Sequence, residues 1–237
     1  MSNSFFQFKQ FTVFQHKCAM KVCTDACLFG ALAAGYKPQT TNGLDIGTGT
    51  GLLSLMLAQK DPDAVIDAVE LGTDAAQQAR ENFAASPWKE RLNIFNADML
   101  SFKTEKSYDL IISNPPFFED DLRSPDEAKN HAKHDTSLSL NELVRVVQQL
   151  LAADGSFAVL LPYQRVNYFT EEAGRQGLHL AQQVLVKQTE KHNYFRGILF
   201  FSRKKTQPVT ASISIKDKEG NYTPEFVAAL KDYYLYL

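Results

Sequence analysis

The sequence predicts an α/β fold, a mixed and mostly parallel seven-stranded sheet with helices on both faces. Three observations predict it. Strand-like and helix-like segments alternate from about residue 43 to residue 204, as in sheets whose strands are joined by crossover helices. A glycine-rich turn, Asp45-Ile46-Gly47-Thr48-Gly49-Thr50-Gly51, stands between a short strand and an apolar helix. Farther on, an apolar strand runs directly into Asn114-Pro115-Pro116-Phe117, at the strand end where such sheets bind ligands.

Taken in order, Gly43–Ile46 is the first core strand and Leu52–Gln59 the helix after the turn. Val65–Glu70 is the second strand, and a helix follows from about Asp74 to Ala85, stopped by Ser86-Pro87. Leu92–Phe95 and Asp109–Ser113 are the third and fourth strands. The polar stretch from Asn114 to Ser137 exceeds the usual connection of about 2–6 residues, a length associated with functional or mobile loops. Ser139 with Glu142 forms a capping box that opens a helix to Ala152. Asp154-Gly155 ends it, and Phe157–Leu161 is a fully apolar fifth strand. His179–Lys187 and Ile198–Ser202 make a closing pair around Asn193-Tyr194-Phe195. The expected organisation is one domain over residues 1–237, with an N-terminal segment over 1–36, a core over 43–204 and a C-terminal appendage over 208–237.

The 237 residues are 44% hydrophobic and 22% charged, values typical of a globular chain. No stretch approaches the roughly 18 apolar residues of a membrane span, and the N-terminus lacks the features of a signal peptide. A cytoplasmic protein without a membrane partner is expected. The net charge of -2 hides two basic segments. Residues 187–205 sum to +5 through Lys187, Lys191, Arg196, Arg203, Lys204 and Lys205 against Glu190, and residues 1–37 sum to +3. The remainder carries -10. If the two segments meet, they form a phosphate-binding face on an acidic body; if not, they are solvated charge runs. Cys18, Cys23 and Cys27 lie close to His16, but their odd number argues against a disulfide framework and their spacing against a metal site.

A dinucleotide fingerprint would need a small residue at position 52, where this chain has Leu52. The pattern is instead D-x-G-x-G-x-G, which resembles the first motif of class I methyltransferases and implies their Rossmann-like fold. The resemblance implies S-adenosyl-L-methionine as cofactor, its amino-acid part lying over Asp45, Gly47, Thr48, Gly49 and Gly51. It implies that Glu70, ending the second strand, accepts from the ribose hydroxyls. Asp98 would accept from the adenine amino group while Leu71 and Met99 pack on the ring faces.

The tetrapeptide after the fourth strand suits transfer to a planar nitrogen. The lone pair of such an amine is delocalised, so the nitrogen is a poor nucleophile. The Asn114 side-chain oxygen and the Pro115 carbonyl can each accept one N–H, favouring a tetrahedral nitrogen whose lone pair faces the methyl donor. Pro115 and Pro116 fix that backbone at little entropic cost, and Phe117 offers a ring on which a base can stack. The catalytic gain would come from alignment and electrostatics, with no general base of shifted pKa required. The N-P-P-[FY] motif resembles amino-methyltransferases acting on adenine N6, guanine N2 or glutamine N5, and does not separate them.

The chain ends narrow the choice. Phe8-Lys9-Gln10-Phe11-Thr12-Val13, Cys18-Ala19-Met20-Lys21-Val22, Thr24-Asp25, Leu138–Leu143, and Tyr222–Phe226 with Lys231–Tyr234 resemble the bacterial tRNA1(Val) (adenine(37)-N6)-methyltransferase family. The resemblance covers essentially the whole chain. It implies a tRNA partner, methylated at the adenine next to the anticodon in a single-stranded loop. It places Lys21, Thr24 and Asp25 in a segment covering the cofactor. His16, Cys23 and Ala26 depart from the family pattern, which has Asp, Gly and Gly there. The alternatives are a release-factor glutamine-N5 methyltransferase, an rRNA guanine-N2 methyltransferase, and a catalytically inactive partner subunit that binds the cofactor. From the charge pattern, Lys9, Lys17, Lys191, Arg196, Arg203 and Lys204 are expected to hold tRNA phosphates around the cleft.

Overall fold

The computed structural model describes residues 4–18, 20–37, 39–116 and 138–237. Two short antiparallel strands, β1 (Phe5–Gln7) and β2 (Thr12–Phe14), precede helix α1 (Thr24–Tyr36). The core then alternates: β3 (Asn42–Ile46), α2 (Leu52–Lys60), β4 (Val65–Glu70), α3 (Thr73–Ala84), β5 (Leu92–Asn96) and β6 (Tyr108–Ser113). After the undescribed stretch come α4 (Leu140–Leu150), β7 (Leu151–Pro162), α5 (Val166–Arg175), β8 (His179–Thr189), β9 (Tyr194–Ser202), β10 (Val209–Lys216) and α6 (Pro224–Leu230).

Strands β3 to β10 form one sheet in the order β10-β8-β9-β7-β6-β3-β4-β5, in which β9 runs against both its neighbours and the other pairings are parallel. The central strands are apolar on both faces because helices cover both. Leu110, Ile111 and Ile112 of β6 and Phe157 to Leu161 of β7 are buried throughout. One apolar layer joins the sheet to α1, α2 and α6, the other to α4 and α5. The capping box forms as expected: the Ser139 hydroxyl accepts from the Glu142 amide, and the Glu142 carboxylate takes the Ser139 amide at 2.9 Å. Among the described residues no helix is long and apolar enough to cross a membrane.

The expected seven strands are corrected to eight. Residues 209–216, assigned from sequence to an appendage, pair in parallel with β8 and extend the sheet. The expected turn at Asp154-Gly155 lies inside β7, where the register against β6 slips from Tyr108–Leu151 to Leu110–Ser156. Tyr194 and Phe195 likewise belong to β9, so the connection after β8 is shorter than expected.

The chain ends are tied together. Phe8 bridges to Tyr234, the Lys9 amide donates to the Tyr233 carbonyl at 2.8 Å, and Phe8 stacks on Phe11 at 4.4 Å. A polar knot joins three core segments that follow one another along the chain. Buried Asp67 of β4 accepts from the Tyr108 hydroxyl at 2.9 Å, Lys106 Nζ at 2.7 Å and the Asn93 amide at 2.9 Å. Burial, together with this bond, pushes the Tyr108 phenol well above its ordinary range. Asp67→Ala would strand a buried hydroxyl and remove the partner of a cation, so it should cost about 3 kcal/mol of unfolding free energy. A urea titration showing a loss under about 1 kcal/mol would assign the knot no structural weight.

Candidate active site

The chain runs from β3 outward to β4 and β5, then returns to β6 on the other side of β3. Strand order thus reverses between β3 and β6, and the carboxyl ends of the strands at such a switch point are where sheets of this kind bind ligands. Ile46 and Ser113 are register partners there, and the Ser113 hydroxyl donates to the Ile46 carbonyl at 2.9 Å. The glycine turn and Asn114 therefore leave neighbouring strands at the same level. Asn114 is half-buried, Pro115 buried and Pro116 exposed. Phe117 lies outside the described residues.

The glycines answer to two different demands. Gly47 (φ 72°) and Gly49 (φ 57°) hold left-handed backbone, and a Cβ on either would point into open space. Gly51 (φ 82°) instead permits close packing, since a Cβ there would meet the Phe83 ring at 2.4 Å. The amides of Gly47 and Thr48 donate to the Val69 carbonyl at 2.9 and 3.3 Å, tying the turn to β4. Beneath the turn, Asp45 is fully buried; its Oδ2 accepts from the Thr48 hydroxyl at 2.6 Å and the Ser54 hydroxyl at 2.7 Å. Burial pushes its carboxyl up to about 6 against the opposing effect of those two bonds. Its Oδ1 is buried without a hydrogen-bond partner.

Glu70 spans the turn and the following loop: Oε2 accepts from the Gly49 amide at 2.9 Å and Oε1 from the Gly72 amide at 2.8 Å. The Asn96 amide reaches the carbonyls of Glu70 and Leu71, both at 3.0 Å, and the Ala97 amide also donates to Glu70. These bonds bring the Asp98 loop beside the end of β4. Asp98 is exposed and accepts from the Leu100 amide at 2.9 Å, Leu71 is 50% exposed, and Met99 is buried. An open left-handed cradle, a carboxylate at its edge and an acid flanked by apolar side chains fit the amino-acid, ribose and adenine parts of a nucleoside cofactor in turn.

The N-terminal segment lies across α3 next to this cradle. The Asn82 side chain, 1% exposed, accepts from the Phe14 amide at 2.9 Å and donates to the carbonyls of Phe14 and Thr50 at 2.9 and 2.8 Å. Gln78 takes the Lys17 amide at 3.1 Å. Burial pushes the Cys18 thiol up to about 11, with the charge of nearby Glu70 adding to the effect. Lys21 is turned inward onto the carbonyls of Gln15 and Cys18. Thr24 opens α1, and Asp25 pairs with Arg196 Nε at 2.8 Å. Burial likewise raises Cys23 and Cys27, each to about 12, so the three thiols stay protonated near neutral pH. Sequence reasoning missed Asn82 and Gln78. Their spacing of four residues on one helix, around the apolar Ala79, was the available signal.

The six basic candidates do not assemble on one face. Because β9 runs antiparallel, Lys191 and Arg196 stand at the Asn114 edge of the sheet, whereas Arg203 and Lys204 leave β9 at the opposite edge. Arg203 there donates to the carbonyls of Gln148 and Leu151 at the end of α4, and Lys204 pairs with Asp154 at 2.8 Å. Lys17 pairs with Glu81 at 2.5 Å, and Lys9 Nζ donates to the Lys231 carbonyl. Lys191 is exposed between β8 and β9.

Two outcomes follow from the buried polar groups. The folded protein holds the Asp45 proton more tightly than an unfolded chain with a carboxyl near 3.8, so its contribution to stability falls as pH rises from 3.8 to about 6. The melting temperature of Asp45→Asn relative to wild type should rise across that window and level off above it. A pH-independent difference would show that Asp45 does not titrate there. Asn82→Ala should speed hydrogen exchange at the Phe14 amide by about tenfold or more, the loss of one or two buried bonds. Unchanged exchange would mean that other contacts hold the segment.

Comparison with known proteins agrees with this geometry. The family model for the methyltransferase small domain matches residues 26–166, more than half of the chain. The tRNA1(Val) (adenine(37)-N6)-methyltransferase of Cytophaga hutchinsonii is 46% identical, with all of both chains covered. That of Dyadobacter fermentans is 42% identical over 98% of each chain. The crystal structure of a predicted O-methyltransferase from Agrobacterium tumefaciens superposes with a TM-score of 0.65 at 15% identity, covering 88% of this chain and 96% of that one, which supports the fold. With full-length relatives at this level of identity and the switch-point site in place, the chain belongs to the tRNA1(Val) (adenine(37)-N6)-methyltransferase family.

Proposed function

We propose that this chain transfers a methyl group from S-adenosyl-L-methionine to the N6 amino group of adenine 37, next to the anticodon, in tRNA1(Val). The carrying observation is the Ser113–Ile46 hydrogen bond, which sets Asn114 beside the glycine cradle. The names of relatives matching 98–100% of this chain favour adenine N6 over glutamine N5 or guanine N2. A tRNA substrate implies that the enzyme acts in the cytoplasm.

Gly47 and Gly49 would receive the amino-acid part of the donor, Glu70 the ribose hydroxyls, and Asp98 with Leu71 and Met99 the adenine. The segment bearing Lys21, Thr24 and Asp25 would lie over it. When bound, S-adenosyl-L-methionine supplies an electrophilic methyl group on a sulfonium. Asn114 Oδ1 and the Pro115 carbonyl accept the two N–H groups of the target amine and draw its lone pair out of conjugation. Once methylated, that nitrogen is cationic and releases its proton without a strong base. Pro115, buried at the strand end, holds the acceptor backbone in place. Of the basic candidates, Lys191 and Arg196 stand where they can reach phosphates near the cleft.

Incubation of the protein with labelled donor and, separately, total tRNA, rRNA and release factor should yield N6-methyladenosine in tRNA by nucleoside mass spectrometry. N2-methylguanosine or methylglutamine as the sole product would replace this reading with one of the other two. Asn114→Ala should lower kcat by about 100- to 1,000-fold, as loss of one aligned polar partner does in other sites, while donor affinity stays near wild type. A variant with wild-type kcat would remove Asn114 from the mechanism.

A further inference from the structure

We propose that Tyr163 and Tyr194, with Lys187, form a stacking platform for a nucleotide that flanks the target adenosine; this rests on the RNA-methylating function proposed above. Tyr163 directly follows β7 and Tyr194 opens β9, with Pro162 and Arg196 as register partners between them. Ser113 pairs with Val159, so β7 passes the level of Asn114 and delivers Tyr163 beyond it on the same edge. With strands about 4.8 Å apart and about 3.3 Å of rise per residue, the register sets the Tyr163 and Tyr194 backbones roughly 11 and 16 Å from that of Asn114. One or two nucleotides of single-stranded RNA bridge these distances.

The geometry suits a base. The two ring centroids are 5.3 Å apart and the planes are inclined at 45°, so a base can stack on one ring and meet the edge of the other. Tyr163 is 41% exposed and Tyr194 half-buried, whereas the aromatic rings that build the sheet core, such as Phe157, Phe200 and Phe201, are fully covered. Lys187 Nζ lies 4.7 Å from the Tyr194 centroid, within cation–π range. It reaches that place through a register shift: Val186 faces Arg196 but Lys187 faces Tyr194, so one step along β8 spans two along β9. Such irregularities re-aim side chains near functional edges. The acids on the adjoining segments are already engaged, Asp25 by Arg196 and Glu190 by Lys218 at 3.5 Å. An aromatic pair carrying a cation, at the edge where the reactive amine enters, matches a nucleotide's π face and phosphate.

The test measures methylation of a tRNA transcript by Tyr163→Leu, Tyr194→Leu and the corresponding phenylalanine variants. Each leucine variant should raise the KM for tRNA by between about fivefold and a hundredfold, the range expected for one lost stacked base. The KM for S-adenosyl-L-methionine and the melting temperature should stay at wild-type values, and the phenylalanine variants should behave as wild type. On transcripts with one abasic position beside the target adenosine, wild type should weaken and the leucine variants should lose nothing further at the stacked position. Lys187→Gln should reduce the log–log salt slope of binding by about 0.7, one contacted phosphate. Leucine penalties that are absent, or equal on intact and every abasic transcript, would overturn the platform. If wild type leaves tRNA unmethylated, the proposed function fails instead. The platform is then decided by fluorescence anisotropy with a labelled single-stranded RNA, where equal affinity of wild type and leucine variants overturns it.

Discussion

The site hangs on one buried carboxylate. Asp45, next to the last residue of β3, accepts two hydroxyl hydrogen bonds at a single oxygen, one from Thr48 in the turn and one from Ser54 in α2. Strand, turn and helix thereby converge on one atom, and the left-handed glycines between them are held in register with it. Burying that group is unfavourable, as its raised carboxyl records. The N-terminal end of α2 offsets part of the cost, since unpaired helix amides favour negative charge nearby. The Ser113–Ile46 bond then transfers the fixed geometry of β3 to the end of β6, where Asn114 follows.

A second layer of polar contacts fastens the N-terminal segment to this frame. Asn82 touches both Phe14 and Thr50, so the segment and the glycine turn share one side chain. Glu70 has both oxygens engaged by backbone amides, one from Gly49 and one from Gly72. In the proposed role of Glu70 as ribose acceptor, this fixed orientation would leave little side-chain entropy to be lost on binding.

Much of this was legible in the sequence because the physics is local. Strands buried on both faces read as unbroken apolar runs, as in Leu110–Ile112 and Phe157–Leu161. Gly47 and Gly49 announce positive φ angles that few other residues tolerate, and Ser139 with Glu142 announces a helix start. What stayed hidden depends on distant partners. β10 alternates small polar residues with apolar ones and is mostly exposed, so nothing within it names β8 as its neighbour. Gln78 and Asn82 look like solvent-facing residues until the N-terminal segment is laid over them. The fate of Arg203 and Lys204 turned on the direction of β9, which side-chain pattern does not encode.

The union of the chain ends bears on how the protein is made. Phe8 and Lys9 are anchored by Tyr233 and Tyr234, and the Tyr233 hydroxyl reaches back to the Met56 carbonyl at 3.1 Å. During synthesis the first residues emerge from the ribosome some 220 positions before the ones that secure them. The rings of Phe6 and Phe8 wait for that of Tyr234 while the sheet assembles. The anchoring of Phe8 and Lys9 is therefore completed late, after translation has passed the last helix. A nascent chain stalled before that point would have Asn82 and Gln78 in place for Phe14 and Lys17 but would lack the partners of Phe8 and Lys9.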